Sequence, residues 1–294
     1  MSRIAYVNGQ YVLHSEAAVH IEDRGFQFAD GVYEVCGVFD GASLDEEAHL
    51  DRLERSLSEL RIEQPVSRKA LQLILREVVA RNRLRHGILY FQITRGTARR
   101  DHAFPLGDIP ASLIVTVKPH DLDTIEARAQ AGVAVATIPD IRWSRCDIKS
   151  VALLPNILAK QRAHEVGACE AWLVDVQGRI TEGSSTNAWI VDRNGSLVTR
   201  HIDNKILSGI MRQVVIGFAA RRGIQVIERA FSVDEAKKAR EAFMTAATAF
   251  VTPVVKIDGD WIGNGCPGDM ALSLRAEYLQ EARRIAHHAK KRLN

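Results

Sequence analysis

The sequence predicts an α+β fold, on three observations. Asn-Gly and Asp-Gly turns between alternating apolar strands mark antiparallel hairpins in both halves of the chain. Apolar residues at helical spacing mix helices with those hairpins in each half. No G-x-G-x-x-G follows a strand and no G-x-x-x-x-G-K-[ST] occurs, which argues against a dinucleotide fold or a P-loop.

The elements follow in order. Ile4–Val7 and Gln10–Leu13 form a hairpin around Asn8-Gly9, and Val32–Phe39 begins a second that turns at Asp40-Gly41. The charged, glycine-punctuated stretch Glu22–Gly31 between them reads as a surface loop suited to binding. Asp45 is expected to cap a helix with Leu50, Leu53, Leu57 and Leu60 on one stripe, beside which Arg52 sits. A helix over about 67–82 starts at Ser67 and buries Leu71, Ile74, Leu75 and Val78. Strands follow near 87–94 and 112–118, joined by a connection that carries Arg95, Arg99, Arg100 and His102. Solvated or not, that cluster of donors would suit a carboxylate.

A chain of 294 residues, 46% of them hydrophobic, can bury a large core and is long enough for two domains. The boundary is expected near 119–125, giving residues 1–120 and 121–294. Beyond a short polar helix, Val133–Thr137 is a strand leading to Arg145-Cys146-Asp147-Ile148-Lys149-Ser150. Pro155 starts a helix that ends at Gly167. Residues 170–199 read as one antiparallel meander, with turns at Gln177-Gly178 and Asn194-Gly195. Ser208-Gly209 opens a helix through Arg222, a strand at 224–229 leads to the capping box Ser232-Val233-Asp234-Glu235, and a hairpin at Asp258-Gly259 precedes a long last helix.

Composition narrows the function. No apolar run of eighteen residues is present, so no membrane helix is expected. Cys36, Cys146, Cys169 and Cys266 show neither a disulfide framework nor metal-ligand spacing, and no H-E-x-x-H occurs, so no metal site is expected. With an N-terminus that carries no signal-peptide core, a reducing cytoplasm is the expected compartment. The net charge of +3 comes from the last twelve residues, which hold five Lys or Arg; the rest sum to about −2. The tail reads as the solvated end of a helix rather than a nucleic-acid contact, because no aromatic residues interleave it.

Lys149 stands among apolar and small residues instead of in a charge run. A lysine amine in a partly dry, carbonyl-binding pocket forms imines and carries protons, and pyridoxal phosphate is the commonest cofactor to use it. That cofactor also needs an acid at its pyridine nitrogen and a phosphate cradle. Glu182, in Thr181-Glu182-Gly183-Ser184-Ser185-Thr186-Asn187, is a candidate acid, and the Ser208-Gly209-Ile210-Met211 helix start a candidate cradle with Arg52 as a further cation. Singly, each has an ordinary reading: a turn acid, a helix cap, a helix-face charge.

The two runs around Lys149 and Glu182 together resemble the paired signature of the class IV (fold type IV) pyridoxal-phosphate aminotransferases. Glu22-Asp23-Arg24-Gly25, Asp30-Gly31-Val32-Tyr33-Glu34-Val35 and Phe91-Gln92-Ile93-Thr94-Arg95-Gly96-Thr97 extend the likeness over about residues 6–265. Within the class, the chain is most similar to the D-amino acid aminotransferases. The resemblance implies a smaller N-terminal α+β domain and a larger C-terminal pseudo-barrel domain. It implies that Lys149 holds pyridoxal 5'-phosphate as an imine and shuttles the α-proton, and that Glu182 faces the pyridine nitrogen. Arg52, the Ile210 and Met211 amides and Thr248 would contact phosphate, and Leu207 would pack on the ring. Tyr33, Arg100 and His102 would hold the substrate α-carboxylate, the last two reaching in from the partner of a homodimer with shared sites. The reaction implied is ping-pong transamination between a D-alanine-type amino acid and a 2-oxo acid such as 2-oxoglutarate. A branched-chain L-amino acid aminotransferase and an aminodeoxychorismate lyase are the alternatives within the class. Met211 replaces a threonine of that pattern, Ala246 and Ala247 replace hydroxyl residues, and Phe250 replaces an acid. Phosphate anchoring is therefore expected to weaken by about 1 kcal/mol per lost hydrogen bond.

Overall fold

The structure, a computed structural model, describes residues 3–293. Met1, Ser2 and Asn294, which the sequence assigns to the N-terminal strand pattern and the basic tail, lie outside the described residues. The chain forms two compact units. One runs through Asp121 and takes back Ile148–Ala152 and the chain from Ala282 onward; the other holds Leu122–Asp147 and Leu153–Glu281. Lys149 thus belongs to the first unit although the chain before Ile148 and after Ala152 belongs to the second.

The first unit is built on a six-stranded antiparallel sheet of β1 (Ile4–Val7), β2 (Gln10–Leu13), β3 (Gly31–Phe39), β4 (Ala42–Ser43), β5 (Gly87–Thr94) and β6 (Ser112–Pro119), ordered β2-β1-β6-β5-β3-β4. Both of its two-residue turns take the positive φ that such hairpins demand: 45° and 95° at Asn8-Gly9, 49° and 84° at Asp40-Gly41. Its helices are α1 (Arg24–Phe28), α2 (Glu46–Leu60) and α3 (Arg68–Arg81). Leu50, Leu53 and Leu57 of α2 join Leu71, Leu75 and Val78 of α3 in one core with Val32, Cys36, Leu89 and Phe91 of the sheet. Each such side chain contributes roughly 2 kcal/mol by leaving water.

Two expectations change here. The stretch 22–31 is not all loop: Asp23 accepts from the Gly25 N–H at 2.9 Å and caps α1, and Arg24 is buried. The charge of Arg24 is tolerated there because its Nε donates to Asp30 at 2.8 Å. Asp45 precedes α2 in the left-handed conformation, φ 52°, where its side chain makes no cap hydrogen bond. The extended backbone that lets a cap carboxylate reach back to the helix is absent at that residue.

The second unit carries α4 (Leu122–Ala131), β7 (Val133–Pro139), α5 (Leu154–Glu165), β8 (Glu170–Val174), β9 (Arg179–Gly183), β10 (Asn187–Val191) and β11 (Leu197–Thr199). It continues with α6 (Ile210–Arg221), β12 (Val226–Glu228), β13 (Phe231–Ser232), α7 (Val233–Lys237), β14 (Glu241–Ala246), β15 (Phe250–Ile257), β16 (Asp260–Trp261) and α8 (Asp269–Leu293), whose end returns to the first unit. Its sheet of ten strands is ordered β12-β11-β10-β14-β15-β7-β8-β9-β13, with β16 on β15, and is parallel at β11/β12, β15/β7 and β7/β8. Sheets of this size curl to keep their twist. Trp172, Phe231, Met244 and Val254 lie in its core.

Residues 170–199 are two hairpins, not one meander. The ladder partners of β9 are β8 and β13, and those of β10 are β11 and β14. The hydroxyl run between them turns the chain aside: Ser184 and Ser185 both donate to the buried Glu170 carboxylate, and Gly183 N–H bonds Thr186 O at 2.6 Å.

Candidate active site

In the first unit, the Lys149 segment is fastened to β3. Tyr33 N–H donates to Lys149 O at 3.0 Å and Val151 N–H to Gly31 O at 3.0 Å, while Ile148 enters the core. The half-buried Lys149 places Nζ 4.3 Å from the Tyr33 ring centroid, and Tyr33 stacks on Tyr90 at 5.5 Å. Among the described residues, no carboxylate pairs with the Lys149 ammonium. An amine held against aromatic faces and not neutralised by an acid is suited to attack a carbonyl.

Arg52 is oriented by Glu34. Its Nε and Nη2 donate to the two carboxylate oxygens at 2.7 and 2.8 Å, and His49 Nδ1 lies 2.7 Å from Oε2. Burial pushes the Glu34 carboxyl up, but the Arg52 charge and its bonds, with His49, outweigh that and lower it to about 2. Glu34 is therefore a fixed anion, and Arg52 a fork held in place.

The connection after β5 separates its arginines. Arg95 is buried against Asp30, at 2.7 and 3.0 Å, and donates to the last carbonyls of α2, Leu60 O and Arg61 O. It is thus a structural residue of the loop. Arg100 and His102 are exposed, and neither meets a carboxylate among the described residues. Tyr33 and Lys149 are together in this unit; Arg100 and His102 gather separately, around Phe28.

In the second unit, Glu182 sits on β9 with 5% of its surface exposed. Its Oε1 accepts from Arg142 Nη1 at 2.5 Å, and its Oε2 from Asn187 Nδ2 at 3.0 Å and from the Leu207 N–H at 3.1 Å. Burial pushes its carboxyl up, Arg142 and the Leu207 amide pull it back, and it comes to rest at about 6. Leu207 is tied at both ends, since its carbonyl accepts from Asn187 Nδ2 at 3.0 Å. The cap of α6 is Gly209, not Ser208, whose hydroxyl instead faces Gln213 Nε2 at 3.0 Å. A Cβ on Gly209 would lie 2.0 Å from Asn187 Oδ1, so a larger residue would displace the amide that holds Glu182 and Leu207. With no side chain capping the helix, the Ile210 and Met211 amides present an open positive end. The Met211 side chain is buried. Thr248 lies on the turn between β14 and β15, next to Phe250, which is buried at φ 61° with its ring 5.1 Å from that of Tyr278.

Several participants were not singled out from the sequence. Arg142, Asp140 and Asn187 complete the surroundings of Glu182, and Glu34 and His49 those of Arg52. Glu34 carried a signal: it alternates with Val32, Cys36 and Val38 on the buried face of β3, where an acid requires a cation. Arg142 carried none, since beyond the neighbouring Asp140 its link to Glu182 spans forty residues.

Each unit taken by itself offers groups of the kind pyridoxal phosphate needs: the first an unneutralised amine suited to its carbonyl, the second a buried acid suited to its ring nitrogen and an open helix N-terminus suited to its phosphate. Residues 31–257 match the family described as Amino-transferase class IV. A D-alanine aminotransferase of Bacillus licheniformis is 40% identical over 91% of this chain and 93% of its own length. One from Listeria monocytogenes is 39% identical over 94% of each. A branched-chain amino acid aminotransferase of T.th., solved with pyridoxamine 5'-phosphate, superposes with a TM-score of 0.87 at 28% identity, covering 96% of this chain and 94% of the other. By its family match and by those identities, the chain belongs to the class IV aminotransferases.

Proposed function

We propose that the chain is a pyridoxal phosphate-dependent aminotransferase that moves an amino group from a D-alanine-type amino acid to a 2-oxo acid such as 2-oxoglutarate. The observation that carries the reading is Lys149, an amine fixed over Tyr33 without an acid to neutralise it. Its D-selective form is supported by relatives at 37–40% identity that are D-alanine aminotransferases, and by Arg100 and His102, which meet no acid among the described residues. When bound, pyridoxal phosphate supplies an electron sink for the substrate α-carbon.

The chain's own residues do the rest. Lys149 Nζ supplies the amine that holds the carbonyl and, once released, moves the proton on the substrate Cα. Glu182, near 6, can keep a ring nitrogen protonated. The Ile210 and Met211 amides would hold the phosphate, with Arg52 and Thr248 as further candidate donors, and Leu207, fixed by Glu182 and Asn187, would offer an apolar surface to the ring. Arg100, His102 and Tyr33 fix the α-carboxylate and so choose which hydrogen faces the base.

We assign a homodimer with shared sites. The outer face of α5 supports it, with Leu154, Ile157 and Leu158 exposed at helical spacing. The four cysteines are unpaired, which supports the cytoplasm, and no helix among the described residues is long and apolar enough to cross a membrane.

The test pairs labelling with turnover. Purified protein should be yellow, borohydride should fix the cofactor to Lys149, and D-alanine with 2-oxoglutarate should give pyruvate. Label at another lysine would remove the central role. Turnover of an L-branched amino acid in place of D-alanine would select the branched-chain alternative, and pyruvate from aminodeoxychorismate without an acceptor the lyase.

A further inference from the structure

Phe28, the last residue of α1, is half-buried and takes no part in the sites described above, yet three polar side chains converge on its ring. The Arg100 guanidinium carbon lies 4.8 Å from the ring centroid and that of Arg24 at 4.9 Å, while the His102 ring is 5.5 Å away at an interplanar angle of 47°. The two arginines differ in what else they meet. Arg24 is buried, is neutralised by Asp30 at 2.8 Å, and donates through Nη1 to the Asp101 carbonyl at 2.7 Å. It thereby pins the peptide between Arg100 and His102. Arg100 has no acid partner among the described residues, and it rests on the Phe28 ring.

An exposed arginine samples many rotamers, and ordering it on ligand binding opposes that binding. A guanidinium resting on an aromatic face is ordered beforehand, while its N–H edges stay available for a carboxylate. The Arg24–Asp101 bond fixes the backbone of the same loop, so the ring and the bond restrain the two donors from below. A carboxylate near Arg100 would do the same task badly, because it would compete with the substrate. A neutral aromatic surface orders the cation and leaves its charge unspent.

We propose that Phe28 is a positioning residue for α-carboxylate recognition, its ring holding Arg100 and His102 in register before the substrate arrives. This rests on the reading of Arg100 and His102 as carboxylate donors. Phe28 touches no reacting atom in this role; it acts through the two side chains that rest against it.

The experiment compares Phe28→Leu, Phe28→Tyr, Arg100→Ala and the double variant Phe28→Leu/Arg100→Ala in the holoenzyme. Phe28→Leu should raise KM for D-alanine about fivefold to tenfold, the scale of one or two lost cation–aromatic contacts. It should change kcat less than about twofold and leave the cofactor absorbance as it is. Phe28→Tyr, which keeps the aromatic face, should restore KM. In the double variant, KM should rise no further than in Arg100→Ala alone, apart from the share carried by His102, which adding His102→Ala removes. A rise in KM with Arg100→Ala but none with Phe28→Leu would overturn the role of Phe28 and leave the carboxylate reading standing. An unchanged KM in both Arg100→Ala and His102→Ala would remove that reading, and this inference with it. A Phe28→Leu effect that persists undiminished without Arg100 and His102, or that tyrosine does not rescue, would also overturn the proposal. Phe28→Met, flexible and close in volume, serves the same comparison where the leucine variant does not fold.

Discussion

Glu34 and Glu182 are both buried carboxylates bonded to an arginine, one in each unit, and they end on opposite sides of the ordinary carboxylate value. Burial opposes ionisation in both. The difference lies in how the arginine is shared. Arg52 gives Nε and Nη2 to the two oxygens of Glu34, and His49 adds a third contact to that carboxylate. Arg142 spends Nε and Nη2 on Asp140, at 3.0 and 2.8 Å, and gives Glu182 only Nη1. The Asp140 charge also raises Glu182. A full fork makes a permanent anion; a shared one leaves a carboxyl that titrates closer to neutrality. Two similar constellations thus reach opposite ends, one a fixed anion that holds Arg52 in place and the other a carboxyl that titrates closer to neutrality.

The largest effect that would test this contrast is on stability. Glu34→Gln leaves the Arg52 charge buried without its partner and should destabilise the protein by about 3–5 kcal/mol in denaturant unfolding. A loss below about 1 kcal/mol would show that Glu34 is not the permanent anion described. Glu182 should instead show a pH signature. Its folded value, about 6, lies above the unfolded carboxylate range, so the folded apoprotein binds the extra proton. The stability it contributes is present below about pH 4.5 and is lost as pH rises through 6, by about 2 kcal/mol. Unfolding midpoints of the apoprotein across pH 4–8 should therefore fall more steeply than those of Glu182→Gln. Parallel curves would place the Glu182 proton elsewhere. Glu34 runs the other way: its stabilisation is present above the unfolded value and is lost as pH falls toward 2. The smallest effect belongs to Asp140→Asn. Releasing Arg142 from its competitor should lower the Glu182 value by up to about one unit, seen as an equal shift of the apoprotein's pH–stability step. An upward shift would mean that Asp140 orients Arg142 more than it competes for it.

Much of this architecture was legible in advance. Asn8-Gly9 and Asp40-Gly41 specify their turns because both residues of each must reach positive φ, a local demand written in two letters. The α2 and α3 cores follow from apolar spacing alone. What failed was decided by partners distant in sequence. Arg24 and Arg95 read as loop charges, but Asp30 draws both inside. The single meander over 170–199 came apart because β13 and β14 supply the ladders that β9 and β10 were expected to share.

The sequence by itself determined the α+β class, the hairpins, the placement of Lys149 and Glu182 in recognisable runs, and a helix opening at Ser208-Gly209, because each rests on local backbone preference or on residue order. Tertiary structure alone decided that Lys149 is carried on β3 with Tyr33, that Arg52 answers to Glu34, and that Arg142 is divided between Asp140 and Glu182. Those are questions of which charge reaches which partner in a dry interior. A carboxylate's proton follows from the neighbours that burial leaves it, and the order of residues along the chain does not encode those neighbours.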